Sequence, residues 1–204
     1  MLPLPGIELL IAFALVAIAA LSEMIAPRPA GVSLALHMGD ILRQTIGFSG
    51  LVREYMYRSS GWRFLSAGKA LEGALSTCSL VASLVAPSAP PGAMEAALDC
   101  ADSKLAHHHR FGFDMSCETV TALLCLDRRN PRSLLHQLDQ LKLHLEAMPN
   151  AVHDGIASPL MRAFMKIHTA VAVQTPQTLD AATLLGISRE LASLSDQLTA
   201  TYLS

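Results

Sequence analysis

The sequence predicts an all-α protein, a single-domain antiparallel bundle of about seven to eight helices. Several stretches carry apolar residues at alternating spacings of three and four, which is the periodicity of an amphipathic helix. No stretch alternates apolar and polar residues as a half-buried strand does. The chain has 204 residues, 51% of them apolar, and this is enough for one sizeable core. Because most connections are short, we expect neighbouring helices to pack antiparallel.

The clearest helix follows Asn130. The side chain of Asn130 can accept hydrogen bonds from a first helical turn, and Pro131 lacks an N–H that would need a partner there, so we expect the helix to begin at these residues. Its apolar face is predicted to comprise Leu134, Leu138, Leu141, Leu145 and Met148. The remaining positions are expected to face water: His136, Asp139, Gln140, Lys142, His144 and Glu146.

The first predicted element is an apolar run from Leu9 to Leu21, which ends before the proline-rich segment 26–31. As a helix, these 13 residues would rise about 20 Å, against roughly 30 Å of membrane hydrocarbon. Glu8 and Glu23 close the run, and no basic residue precedes Arg28. A buried or docking helix is favoured, and a membrane-associated segment and a cleaved signal remain alternatives.

Four further helices are expected before Asn130. One begins at Ser33, one at Trp62, one covers 94–109 and one covers 115–126, and the segment 87–92, PSAPPG, forms a stiff connector. The first two carry these apolar positions: Leu36, Ile41, Ile46 and Leu51, then Leu71, Leu75, Cys78, Ala82 and Val85.

After a loop at 150–158, two more helices complete the bundle. Their apolar faces are predicted to comprise Leu160, Phe164, Ile167 and Val171, then Leu184, Ile187, Leu191, Leu194 and Leu198.

Composition excludes some classes of partner. A net charge of -2 and a sequence pI near 6.4 provide no basic field for a polyanion, so we expect no nucleic-acid binding. The cysteines show no zinc-site spacing and lie in apolar stretches, which indicates buried free thiols in a reducing cytoplasm. They are Cys78, Cys100, Cys117 and Cys125.

The segment Glu54 to Ala74, EYMYRSSGWRFLSAGKALEGA, resembles the block E-N-M-T-R-G-x-G-W-R-F-L-D-I-G-R-R-L-E-R-A of the bacterial alpha-E domain family. Twelve positions match: Glu54, Met56, Arg58, Gly61, Trp62, Arg63, Phe64, Leu65, Gly68, Leu71, Glu72 and Ala74. Where the family block has Asp, Arg and Arg, this chain has Ser66, Ala70 and Gly73.

Later segments extend the resemblance over about Ile41 to Ser204. Residues 101–103 are similar to the family's A-D-S, Arg110 falls in its Y-R-x-R-Y segment, and residues 126–134 resemble its L-D-x-x-N-P-R-S-L. The tail LSDQLTATYL is similar as well. We therefore divide the chain into an N-terminal apolar helix and connector, residues 1–40, and an alpha-E-like helical domain, residues 41–204.

The resemblance implies a functional neighbourhood. Alpha-E domains are predicted helical domains with a conserved Glu-Arg motif, found beside or fused to ATP-grasp ligases and transglutaminase-like peptidases in systems proposed to make or modify peptides. It implies that a protein of one of these two classes is the partner of this chain.

Charged residues around Trp62 form the candidate site: Glu54, Arg58, Arg63, Lys69 and Glu72. We expect a second set to face them across the bundle: Asp102, Ser103, Arg110 and Arg132. Guanidinium groups can hold a peptide carboxylate or a phosphate in pairs. The alternative is a structural network of caps and ion pairs.

Three consecutive histidines, His107, His108 and His109, suggest a metal at first sight. Neighbours on a helix point about 100° apart, and the positions a turn away offer poor ligands. We therefore predict no metal and no cofactor.

The sequence favours a non-catalytic module that binds a partner or peptide. An enzyme or small-ligand binder using the Glu/Arg cluster and a membrane-associated helical protein are the alternatives. The high apolar content also predicts self-association or a partner chain.

Overall fold

The computed structural model describes residues 33–86, 89–153 and 155–202. Within these ranges the chain forms eight α-helices, one π-helical turn and one short ladder of two strands. The α-helices are α1 Leu34–Tyr55, α2 Ser60–Leu84, α3 Ala93–Cys100, α4 Lys104–Phe111, α5 Cys117–Thr121, α6 Leu134–Glu146, α7 Pro159–Ala172 and α8 Ala181–Tyr202. The all-α prediction is confirmed.

None of the helices in the described ranges is long and apolar enough to cross a membrane. The apolar run Leu9–Leu21 and part of the connector 87–92 lie outside the described residues.

The chain divides into two compact units, Met1–Trp62 and Arg63–Ser204. In the first unit, α1 starts next to Ser33, where the sequence predicts that a helix begins, and the Ser33 Oγ caps it by accepting the Leu36 N–H at 3.3 Å. Among the apolar residues expected on this helix, only Ile41 is buried. The others are more than half exposed: Leu36, Ile46 and Leu51. Periodicity alone therefore overstated the burial of α1.

The second unit has a continuous apolar core. Helix α6 packs on the π-helical turn and on α7, and α7 packs on α8. The three predicted apolar faces are all buried here: Leu134, Leu138, Leu141, Leu145 and Met148; Leu160, Phe164, Ile167 and Val171; Leu184, Ile187, Leu191, Leu194 and Leu198. Burial of each such side chain contributes roughly 1.5 to 3 kcal/mol before the loss of conformational entropy is subtracted.

Helix α6 begins three residues later than predicted. Its cap is Ser133, whose Oγ accepts the His136 N–H at 3.2 Å. Asn130 is instead buried in the preceding loop. The prediction that His144 faces water is also wrong, since this imidazole is buried in the second unit. Burial, with the nearby Arg63 guanidinium as a second cause, lowers the pKa of His144 from its ordinary value.

The expected helix 94–109 is broken in two. Ala101 ends α3, Asp102 adopts a left-handed backbone with φ 46°, and α4 begins at Lys104. An aspartate tolerates this conformation better than most residues do. The expected helix 115–126 is likewise divided, because α5 continues into a π-helical turn at Ala122–Leu126.

The segment predicted as a loop at 150–158 contains a small hairpin. Val152–His153 pairs antiparallel with Ile156–Ala157, and the left-handed Gly155 allows the tight turn between them. Ser158 then caps α7 by accepting the Met161 N–H at 3.1 Å.

Two of the cysteines differ from the expected burial. Cys78 and Cys125 are buried as predicted, and burial raises the pKa of the Cys78 thiol to about 12. Cys100 is exposed and Cys117 is half-buried.

Candidate functional site

A cleft of about 960 Å³ lies in the second unit between α4 and the loop 127–133. We call it the arginine cleft, because three of its lining residues are arginines. Its charged lining residues are Asp102, Arg110, Asp127, Arg129 and Arg132, and its apolar side includes Leu105. The cleft is therefore both charged and apolar, which is typical of a site for a small organic ligand.

Asn130 anchors the loop that carries two of the arginines. Its Nδ2 donates to Ser103 Oγ at 3.1 Å and to the Leu123 carbonyl at 3.2 Å, and its Oδ1 accepts the Arg132 N–H at 3.0 Å. Leu123 belongs to the π-helical turn, a rare geometry that is often found near functional sites. One buried amide thus ties the loop to the start of α4 and to the end of the preceding helix.

Other side chains bind the carbonyl groups of the same loop. Thr77 of α2 donates to the Arg132 carbonyl at 3.0 Å, Gln137 of α6 donates to the Pro131 carbonyl, and Ser133 donates to the Asp127 carbonyl. A loop with so many of its backbone groups bonded is held in one conformation, so its backbone needs little ordering when a ligand binds.

Gly73 allows α2 to lie close to this support. A Cβ placed on Gly73 would be 2.9 Å from Gln137 Cδ and 3.0 Å from its Oε1. No larger residue fits at position 73 while Gln137 keeps this position.

The charges of the arginine cleft are unevenly paired. Arg110 forms an ion pair with Asp127, whose other oxygen accepts the Arg129 N–H at 2.9 Å. Within the described ranges, no carboxylate lies within ion-pair distance of the Arg129 or Arg132 guanidinium. The cleft therefore offers two guanidinium groups to an incoming anion.

The structure brings together only part of the set chosen from the sequence. Asp102, Arg110 and Arg132 line the arginine cleft, and Ser103 lies buried beside it. Three other members of the set, all on α2, do not line it: Arg63, Lys69 and Glu72.

The two remaining members belong to the first unit. Glu54 is exposed near the end of α1. The Arg58 guanidinium lies over the Trp62 ring, 4.2 Å from its centroid. This is a cation–π contact.

The three histidines have separate environments. His107 is buried and its Nε2 lies 3.1 Å from Thr119 Oγ1, and burial is the main cause that lowers its pKa. The His108 ring contacts Phe113 with centroids 4.9 Å apart, and His109 lines the arginine cleft.

Sequence reasoning missed Asp127, Arg129 and the role of Asn130. The available signal was the run D-R-R-N-P-R, which places three arginines around an asparagine and a proline. Assigning Asn130 and Pro131 to a helix start concealed the loop.

Comparison with known proteins identifies relatives of the chain. A family model described as a predicted alpha-helical domain with a conserved ER motif, named Alpha-E, matches residues 17–203. The match begins ahead of Ile41, where the motif resemblance starts. No solved structure is significantly similar.

Uncharacterized proteins of Mycobacterium bovis and Mycobacterium tuberculosis are 28% identical to the chain over 186 residues. The aligned region covers 84% of this chain and 21% of those proteins. The chain thus spans about a fifth of the length of the curated relatives it matches.

Proposed function

This chain belongs to the Alpha-E family, and on that premise we propose that it is a non-catalytic helical module that binds a peptide carboxylate in the arginine cleft. We further propose that it acts with an ATP-grasp-type peptide ligase.

The observation that carries the first proposal is the pair of guanidinium groups, Arg129 and Arg132, on a loop held rigid by Asn130. Guanidinium groups suit carboxylate because their N–H groups match its two oxygens, and such charge-assisted bonds are stronger than neutral ones. The apolar side of the cleft, at Leu105, suits the aliphatic part of a peptide.

The state of Ser103 supports a binding role over a catalytic one. Its hydroxyl donates to the Ala101 carbonyl at 2.9 Å and accepts from Asn130. A nucleophilic serine needs a neighbouring base that takes its proton. Here the proton is engaged by a backbone carbonyl, so Ser103 acts as a structural link.

The partner proposal rests on the family resemblance alone. The resemblance implies that members of the family occur beside or fused to ATP-grasp ligases. A helical domain that presents a peptide terminus to such a ligase fits that implication.

Peptide binding is tested by calorimetry with acetyl-Ala-Ala-Ala as the free acid and as the C-terminal amide. We expect the acid to bind about tenfold more tightly, because only the acid presents a carboxylate to Arg129 and Arg132. Arg132→Gln should remove most of that difference. Arg189→Gln, which removes an exposed arginine of α8 outside the cleft, serves as the charge control. Equal affinities of acid and amide for the parent protein would refute the proposal.

The partner is tested by mixing the purified chain with a purified ATP-grasp ligase of the same organism and measuring the mass of the eluting species. A stoichiometric complex is expected. If the two proteins elute separately when both are at micromolar concentration, the proposed association is contradicted.

A further inference from the structure

The charged residues of the arginine cleft that form no ion pair within the described ranges lie on two sides of it, one negative and one positive. Arg129 and Arg132 belong to the loop 127–133, whereas Asp102 lies at the junction of α3 and α4. In the described part of the chain, Asp102 forms no ion pair. The nearby Lys104 is paired with Asp99, with 3.2 Å between its Nζ and the Asp99 Oδ2.

The backbone holds Asp102 at this place. Its N–H donates to the Asp99 carbonyl at 3.0 Å, and the following N–H, of Ser103, donates to the Leu98 carbonyl at 2.8 Å. Between these two hydrogen bonds the backbone of Asp102 is left-handed, with a φ of 46°. Since the flanking peptide groups are fixed, the carboxylate can move only about its own side-chain torsions.

A second hollow, of about 430 Å³, adjoins the first at Asp102. The two hollows share Asp102 and Leu105 as lining residues. A ligand whose carboxylate lies at Arg129 and Arg132 can therefore extend along Leu105 and place another group beside Asp102.

We propose that the cleft recognises an ampholytic ligand, a short peptide or amino-acid derivative with a carboxylate for Arg129 and Arg132 and an ammonium group for Asp102. This inference rests on the proposed peptide-binding function and specifies its substrate class. An ammonium group of the ligand can donate charge-assisted hydrogen bonds to the Asp102 carboxylate. A ligand that has only a carboxylate leaves the Asp102 carboxylate bonded to water. The ammonium can come from a peptide N-terminus or from a lysine side chain.

Calorimetry with three further peptides distinguishes these sources. Ala-Ala-Ala carries an α-ammonium, acetyl-Lys-Ala-Ala carries a side-chain ammonium, and acetyl-Leu-Ala-Ala carries neither. The control for Ala-Ala-Ala is acetyl-Ala-Ala-Ala, and the control for acetyl-Lys-Ala-Ala is acetyl-Leu-Ala-Ala. We expect one of the two cationic peptides to bind about tenfold more tightly than its control. The cationic peptide that gains affinity identifies the source of the ammonium.

Asp102→Asn is the matching variant, because asparagine also tolerates a left-handed backbone and differs from aspartate mainly in charge. It should abolish the preference for the cationic peptide and leave the preference for acid over amide intact. Glu95→Gln, a change of equal charge on α3 outside both hollows, should alter neither preference.

The outcomes separate the two proposals. If cationic and uncharged peptides bind the parent protein equally while the acid still binds more tightly than the amide, the ampholyte inference is overturned and carboxylate binding stands. If acid and amide bind equally, or no peptide binds at millimolar concentration, both proposals fail.

Discussion

Asn130 and Ser103 are 27 residues apart in the chain, yet the Nδ2 of Asn130 donates to the Oγ of Ser103 at 3.1 Å. Both side chains are buried, and the Ser103 hydroxyl in turn donates a hydrogen bond to the Ala101 carbonyl. The bond joins the junction that holds Asp102 to the loop that holds Arg129 and Arg132. This contact is therefore one of the bonds that set the spacing of the cleft's opposite charges.

Asn130→Ala should destabilise the protein by about 2 to 3 kcal/mol, because it leaves the Leu123 carbonyl and the Arg132 N–H without this partner and removes one of the two bonds of the buried Ser103 hydroxyl. Urea unfolding followed by circular dichroism measures the change. Gln140→Ala on the half-exposed face of α6 is the control, expected to lie within about 0.5 kcal/mol of the parent. A loss for Asn130→Ala no larger than that control would contradict the anchoring role.

Leu138→Ala should cost about 2 to 5 kcal/mol in the free energy of unfolding, since Leu138 is fully buried in the core and its truncation leaves a cavity. Leu143→Ala removes the same atoms from the same helix at a position that is 56% exposed. The difference between the two variants in chemical denaturation isolates burial from helix propensity. Similar losses in both would show that α6 is not packed as described.

His144→Gln should reduce the pH dependence of stability. Burial and Arg63 lower the pKa of the folded imidazole below its ordinary 6.5. When the pH falls below about 6.5, His144 therefore binds a proton more readily in the unfolded chain than in the folded one. The contribution of the neutral His144 imidazole to the free energy of unfolding is complete above about pH 6.5 and is lost as the pH falls toward the lowered pKa of the folded state. Unfolding free energies measured from about pH 8 to pH 5 should decline less steeply in the variant, and identical slopes would contradict the assignment.

Asp139 and His168 should show a coupling energy of about 0.5 to 1 kcal/mol in a double-mutant cycle with Asp139→Asn and His168→Gln. The His168 Nε2 lies 2.8 Å from Asp139 Oδ1, and Arg128 binds the other oxygen of the same carboxylate. The pair joins α6 to α7, and both side chains are less than a third exposed. A coupling of zero at low salt would assign the contact no role in stability.

Most of the second unit could be predicted from the sequence. The faces of α6, α7 and α8 repeat at spacings of three and four, and each has enough large apolar residues to define the buried side without knowledge of its neighbours. The failures concern residues whose role depends on distant partners. Asn130 has the chemistry of a helix cap, but its Oδ1 accepts the Arg132 N–H within the loop and its Nδ2 donates to Ser103 and Leu123. Ser133 serves as the cap instead.

The candidate site was harder to foresee for a similar reason. Arg110 and Asp102 are visible in the sequence as charged residues near helix ends, but the break that separates α3 from α4 depends on the left-handed backbone of Asp102. Arg128 pairs with Asp139, whereas Arg129 lines the cleft. Because both residues are arginines, the sequence does not indicate which of the two belongs to the cleft.

Gly73 links helix α2 to the support of the arginine cleft without lining it. The family block that this segment resembles has arginine at this position, but here a Cβ would meet the end of the Gln137 side chain, whose amide donates to the Pro131 carbonyl. A larger residue at position 73 therefore has to displace that side chain, and the loop then gives up one of its hydrogen bonds. The residue tolerated at position 73 thus depends on the residue at position 137.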